Sequence, residues 1–218
     1  LKHFNPFSIP ENGKIKKGGY NSGALAIPQA YTARLYLEDN GVVTQLDEPI
    51  VFDVKPIREG VLQGVSHQEY DEYRNNLSAL IKKLDVLEDV LERSEEKLMA
   101  LKAALNNSNI VPGLINKEIQ ALQKEAIAIK KSVEGSPSKD EIGERTPPSI
   151  QTHLRVAYRG MMSTYGPTPL HQKSMALGKK MTLEIESKII SLQNDKIKPL
   201  EQKLKALGAP YIQGQGIE

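Results

Sequence analysis

Two hydrophobic rhythms divide the chain. From Tyr31, apolar and polar positions alternate: Tyr31, Ala33, Leu35 and Leu37 fall on one side, and Thr32, Arg34 and Tyr36 on the other. Period two places successive side chains on opposite faces of a pleat, so this stretch predicts a half-buried strand. Asp39-Asn40-Gly41 follows, and Asn-Gly accepts the positive φ angles of a tight hairpin turn. Val42, Val43 and Thr44 begin the return, and a further strand, Ile50 to Val54, ends at Pro56. A lone hairpin is marginal in water, so more strands are expected, with residues 14–17 and 25–27 as candidates. Pro6, Pro10, Gly13, Gly18 and Gly19 make residues 1–21 an irregular lead-in. The expected module is a small antiparallel, immunoglobulin-like β unit over residues 1–60.

The second rhythm is helical. Ser66-His67-Gln68-Glu69 has the form of a capping box, in which Ser66 accepts from the Glu69 amide and the Glu69 carboxylate reaches back. Behind it, Tyr70, Tyr73, Leu77, Leu80, Leu84, Leu87, Leu91, Leu98, Leu101 and Leu105 recur at spacings of three and four, and Ser94 alone breaks the apolar run. Such a seam requires partner helices packed lengthwise on a helix about 60 Å long. Asn106-Asn107-Ser108-Asn109 and then Pro112-Gly113 stop it. Ile115, Ile119, Leu122, Ala126, Ile129 and Val133 predict a second helix, about 114–133. Residues 135–148 read as a polar linker, expected to be mobile. Ile150, Leu154, Ala157 and Met161 predict a third helix over 148–165. Thr168 caps a fourth, 169–207, carrying Leu170, Leu177, Met181, Ile185, Ile189, Leu192, Leu200, Leu204 and Leu207, with a kink at Pro199. The expected fold class is α+β, with the β unit followed by an antiparallel four-helix bundle over residues 61–218.

Composition narrows the function classes. Hydrophobic residues are 39% and charged residues 26% of 218, which argues for a folded chain. No apolar run is long enough to span a membrane. The absence of cysteine excludes disulfides, thiolate metal sites and cysteine nucleophiles. Net charge is −3 over residues 61–110 and +5 over 149–218. That split favours an acidic helix beside a basic one over a nucleic-acid surface, which would carry a larger basic excess with interleaved aromatics. The start at Leu1 suggests a fragment or a processed product.

Candidate chemistry is sparse. His3, His67, His153 and His171 form neither a His-x-x-x-His nor a Glu-x-x-His pair, so zincin and di-iron spacings are absent. No Gly-x-x-x-x-Gly-Lys phosphate loop and no Gly-x-Ser-x-Gly elbow occurs. Glu88-Asp89 and Glu95-Glu96 read as solvated faces and i,i+4 partners of Lys and Arg rather than as a glycosidase dyad. Arg155 and Arg159, one turn apart beside Tyr158, are a weak candidate anion site. No catalytic, cofactor-binding or metal-ligating residue is assigned, and no cofactor is expected.

Three segments carry a resemblance. Leu25-Ala26-Ile27-Pro28-Gln29-Ala30-Tyr31-Thr32-Ala33-Arg34-Leu35 is similar to the Leu-x-x-Pro-Gly-Thr-Tyr-Thr-Val-Arg-Leu strand of bacterial BNR-repeat, sortilin-like propeller proteins. Gln29 and Ala30 depart from that family's Gly and Thr. Tyr165-Gly166-Pro167-Thr168-Pro169 resembles its Ala-Ala-Pro-Thr segment. Lys198-Pro199-Leu200 with Leu207-Gly208-Ala209-Pro210-Tyr211-Ile212 resembles its C-terminal Leu-Pro-x-Leu-Asn and Gly-Leu-Pro-x-Ile signature. The resemblance implies the C-terminal region of an exported, glycosyl-hydrolase-like protein, with the catalytic residues on a propeller that precedes this region. A non-catalytic interaction region packing on that propeller is then the preferred expectation. A glycoside hydrolase or accessory glycan-binding module, and a self-assembling coiled-coil scaffold or homodimer, are the alternatives. Neither nucleic acid nor a membrane span is expected.

Overall fold

The computed structural model of the chain describes residues 2–4, 22–57, 63–163 and 165–214. The chain is α+β and divides into two compact units, residues 1–75 with 162–166, and residues 76–161 with 167–218. The division falls inside the first long helix.

In the first unit the described strands form three two-stranded antiparallel ladders. Strand β1 (Lys2–Phe4) pairs with β2 (Ser22–Leu25), β3 (Gln29–Ala33) with β6 (Ile50–Val54), and β4 (Tyr36–Asp39) with β5 (Val42–Gln45). Asn40 and Gly41 close the β4–β5 hairpin at φ 48° and 80°, the left-handed pair that matches strand twist. The Leu46 amide donates to the Leu35 carbonyl at 3.0 Å, which joins the two inner ladders into one ribbon over residues 29–54. No sheet of more than two strands forms among the described residues. The strand expected at 25–27 lies slightly earlier, at Ser22–Leu25, and residues 14–17 lie outside the described residues. The face expected to be half-buried is largely open: Leu35 and Leu37 are both exposed.

Helix α1 (His67–Asn106) begins as the capping box requires. The Glu69 amide donates to Ser66 Oγ at 3.1 Å, and the Ser66 amide donates to Glu69 Oε2 at 2.9 Å. That backbone bond from Ser66 holds the Glu69 carboxyl below its ordinary pKa. Also within the first unit, the Val65 amide donates to the Tyr165 carbonyl at 3.0 Å.

The second unit is a rod of helices. Helix α2 (Gly113–Glu134) buries all six positions its rhythm marked, Ile115, Ile119, Leu122, Ala126, Ile129 and Val133. A short helix α3 (Pro137–Glu141) occupies the segment expected to be a plain linker. Helix α4 (Ile150–Arg159) is shorter than expected at both ends. Ser149 Oγ caps it by accepting from the Thr152 amide at 3.2 Å. Buried Gly160 ends it, where a Cβ would sit 3.0 Å from the His171 side chain. Helix α5 (Pro169–Ser191) runs through a π-helical turn, Leu192–Ile197, into α6 (Lys198–Ala206).

Cross-helix pairs set the directions. Lys83 meets Glu186 at 2.6 Å and Lys97 meets Glu201 at 2.5 Å, so α1 and the α5–α6 rod rise together. Glu118 meets Lys203 at 3.1 Å and Glu125 meets Lys196 at 2.6 Å, so α2 descends. Helix α4 also descends, because Leu154 lies against Gly178 and Gly160 against His171. The end of α2 abuts the start of α4: a Cβ on Gly135 would lie 3.7 Å from Ser149 Cβ. Helices α2 and α4 therefore share one interrupted column. The contacts describe three columns, not four helices side by side, with α1 and the α5–α6 rod parallel and the α2–α4 column antiparallel to both.

The expected kink at Pro199 takes another form. Pro199 has no amide to complete an i→i−4 bond, and the Lys198 amide donates to Gln193, five residues back. The π turn absorbs one extra residue, so the buried positions 189, 192, 197, 200 and 204 stay on one seam despite a spacing of five at its centre. Farther back on α5, Leu170 and Leu177 are exposed and Met181 is half-buried, and Leu207, past the end of α6, is exposed. The buried positions there are Ser174, Gly178 and Thr182. Small side chains let α4 approach closely: a Cβ on Gly178 would stand 2.9 Å from a Leu154 methyl.

Candidate functional site

The α1 seam is the largest coherent feature. Tyr73, Leu77, Leu80, Leu84, Leu87, Leu91, Leu98, Leu101 and Leu105 are all buried, and Tyr70 is half-buried. Burial pushes the Tyr73 phenol up to about 12. Ser94, which breaks the run, is 3% exposed yet satisfied. Its hydroxyl donates to the Val90 carbonyl at 2.7 Å and accepts from Gln193 Nε2 at 3.3 Å. The π turn therefore supplies the partner of the one polar seam residue. A buried hydroxyl with partners fixes register at little cost, whereas an unpaired one would cost about 1–3 kcal/mol.

A polar hollow of about 300 Å³ opens where the α2–α4 column is interrupted, lined by Glu88, Glu92, Glu95, Lys130, Glu134 and Gln151 among others. Gln151 Nε2 donates to Glu88 Oε1 at 2.7 Å, and Lys130 Nζ reaches Glu95 at 3.3 Å. The hydrogen bond and charge of Glu95 raise the Lys130 ammonium. Burial lifts the Glu88 carboxyl above its usual range, and Asp85, Glu134 and Asp89 push the same way. Burial and then Asp89 raise Asp85 as well. A carboxyl whose pKa is raised is the kind of group general acid catalysis recruits. Yet Asp89, Glu92 and Glu134 are exposed, so these carboxylates rim a surface hollow and do not crowd a deep cleft. Among the described residues no group of three acidic or histidine side chains could hold a metal ion.

The raised Glu88 has a measurable consequence. An acid whose folded pKa exceeds its unfolded value favours folding while both states are protonated, and this contribution is lost as pH rises through the folded value. Ionised Glu88 therefore opposes folding at neutral pH. Glu88→Gln, which can still accept from Gln151, is expected to raise the melting temperature at pH 7 by about 1–3 °C. The gain should vanish at a pH below the ordinary glutamate value of about 4.3. Thermal melts at both pH values check this, and an equal gain at each would contradict it.

The remaining expected residues do not converge. Arg155 and Arg159 are both exposed on α4, as one solvated face. His171 serves α5, its Nδ1 accepting from the Thr168 amide at 3.1 Å as the reciprocal half of the cap. The acidic and basic helices do pack together, but the α1–α5 and α1–α6 ion pairs use lysines of α1 and glutamates of the basic segment, the reverse of the net charges. Such partly exposed pairs contribute about 0–1 kcal/mol each. A smaller recess of about 130 Å³, lined by Leu101, Ala104, Leu204 and residues 209–212 among others, lies near the C-terminal end of α6.

No helix among the described residues is long and apolar enough to cross a membrane. No family model matches the chain, and neither a curated protein nor a solved structure matches it.

Proposed function

We propose that this chain is a non-catalytic structural and interaction region that braces an exported propeller protein, packing on or extending the propeller of the same parent. The single observation that carries this reading is the buried seam of α1, from Tyr73 to Leu105. Its side chains are committed to helix packing, and the hollows beside it are shallow and open at the rim. The three sequence resemblances add the propeller and the export.

In this reading the rod sets spacing and stiffness, and the β ribbon is the half of an immunoglobulin-like sandwich that meets a partner. The purified chain, incubated with a panel of polysaccharides and oligosaccharides, is expected to release no reducing ends. Turnover abolished by Glu88→Gln or by another single carboxylate change would overturn the proposal. The cluster around Glu88 favours one second reading, a glycoside hydrolase or accessory glycan-binding module. Titration calorimetry with the same glycans separates the two, since the brace predicts no heat.

A further inference from the structure

Both faces of the ribbon over residues 29–54 are exposed, and one of them is the more apolar. Directly opposed residues of an antiparallel pair share a face. Tyr31 with Phe52, Ala33 with Ile50, Leu37 with Thr44, and Asp39 with Val42 therefore lie on one side. Leu35 and Leu46, joined by their backbone bond, fall between them on that side. The opposite side is mixed: Tyr36, Val43 and Val51 are exposed there too, but Thr32, Glu38, Gln45 and Asp53 separate them. Among the paired residues of the first face the one charge is Asp39, at the hairpin tip; Asp47 and Glu48 lie in the unpaired segment between the ladders.

An isolated two-stranded ribbon is marginal in water, and a contiguous apolar face of this kind marks a contact surface. A pleated face is well covered by a second sheet about 10 Å away, with strands nearly aligned. We infer that the second sheet is the same face of another copy, so that two chains complete a β-sandwich between them about a two-fold axis.

Two observations favour a second copy. Leu35, Leu37, Val42, Leu46, Ile50 and Phe52, each 39–65% exposed, offer roughly 600 Å², the low end of what each partner gives a stable interface. A face whose paired residues carry one charge, at the tip, can also meet its own copy without like charges opposed, as an isologous contact demands. Laid antiparallel, each ribbon tip covers the base of the other, which keeps the two Asp39 carboxylates a ribbon length apart. Mid-ribbon Leu35 and Leu46 then meet their own copies at the axis. This inference rests on the reading of the ribbon as half a sandwich and names its partner; the glycan assay does not bear on it.

Sedimentation equilibrium of the full chain across a wide concentration range is the test. The expected result is a dimer that Leu35→Ser/Ile50→Ser converts to monomer while the helical circular dichroism and its melt persist. Tyr36→Ser/Val43→Ser, on the opposite face, should leave the dimer intact. The chain has no cysteine, so Leu35→Cys supplies a single thiol. Mild oxidation should link Leu35→Cys into covalent dimers at least tenfold faster than Tyr36→Cys. A monomer at every concentration, a dimer indifferent to Leu35→Ser/Ile50→Ser, or equal cross-linking at the two positions would overturn the inference.

Discussion

Leu98→Asp is expected to abolish cooperative folding of the helical unit. Leu98 has no exposed surface and sits one turn beyond Ser94, between the flanks tied by Glu95–Lys130 and Lys97–Glu201. Aspartate there loses the leucine's packing, about 2–5 kcal/mol by analogy with truncation to alanine. It must also either bury a charge or take up a proton, which costs several kcal/mol more. The sum rivals the ~5–15 kcal/mol that holds a whole domain together. Met99→Asp, one residue along on the exposed side, should shift stability by no more than about 0.5 kcal/mol. Urea unfolding followed by circular dichroism distinguishes them. Equal midpoints for the two variants would mean that the seam does not carry the fold.

Gly166→Val should destabilise the first unit by about 3 kcal/mol. Gly166 has φ 86°, a left-handed conformation that costs a residue with a Cβ about 1–2 kcal/mol. A Cβ there would also come 2.1 Å from Val65 Cγ2, an overpacking that adds about 1–3 kcal/mol. The neighbouring crossing is equally tight: a Cβ on Gly64 would lie 2.8 Å from the Tyr165 carbonyl oxygen. Limited proteolysis at 63–66 and 163–166, with thermal melts, reads the loss. A Gly166→Val chain as resistant and as stable as the parent would show that this clasp is dispensable.

Legibility followed residue size and the distance over which a pattern acts. Helices α1 and α2 were plain because large aliphatic residues mark all but a turn or two of their buried faces, Ser94 and Ala126 being the exceptions. The first half of α5 misled, since Leu170 and Leu177 point outward while Ser174, Gly178 and Thr182 hold the contact with α4. Close approach selects small residues, which carry no hydrophobic signal. Pro199 announced a disturbance, but its form, a π turn that keeps Ile197 and Leu200 on the seam, depends on what the seam must face.

Neighbour relations were the least legible. Residues 135–148 read as a linker between two side-by-side helices, whereas Gly135 and Ser149 nearly touch and the column resumes in line. The hollow around Glu88 exists only because of that interruption. Its one signal, Gln151 at the start of α4, gains meaning only beside α1. In the ribbon, alternation marked a half-buried face, yet Leu35 and Leu37 are exposed, because alternation cannot say what covers a face.

Thiol labelling along α1 tests the brace most directly. With no native cysteine, Leu91→Cys and Glu92→Cys each present a single thiol, one on the buried seam and one on the exposed side. If the leucines are sequestered, Leu91→Cys reacts only when the helix opens, at least ~1,000-fold more slowly than Glu92→Cys for an opening free energy of several kcal/mol. Labelling of both thiols at the same fast rate would contradict the account.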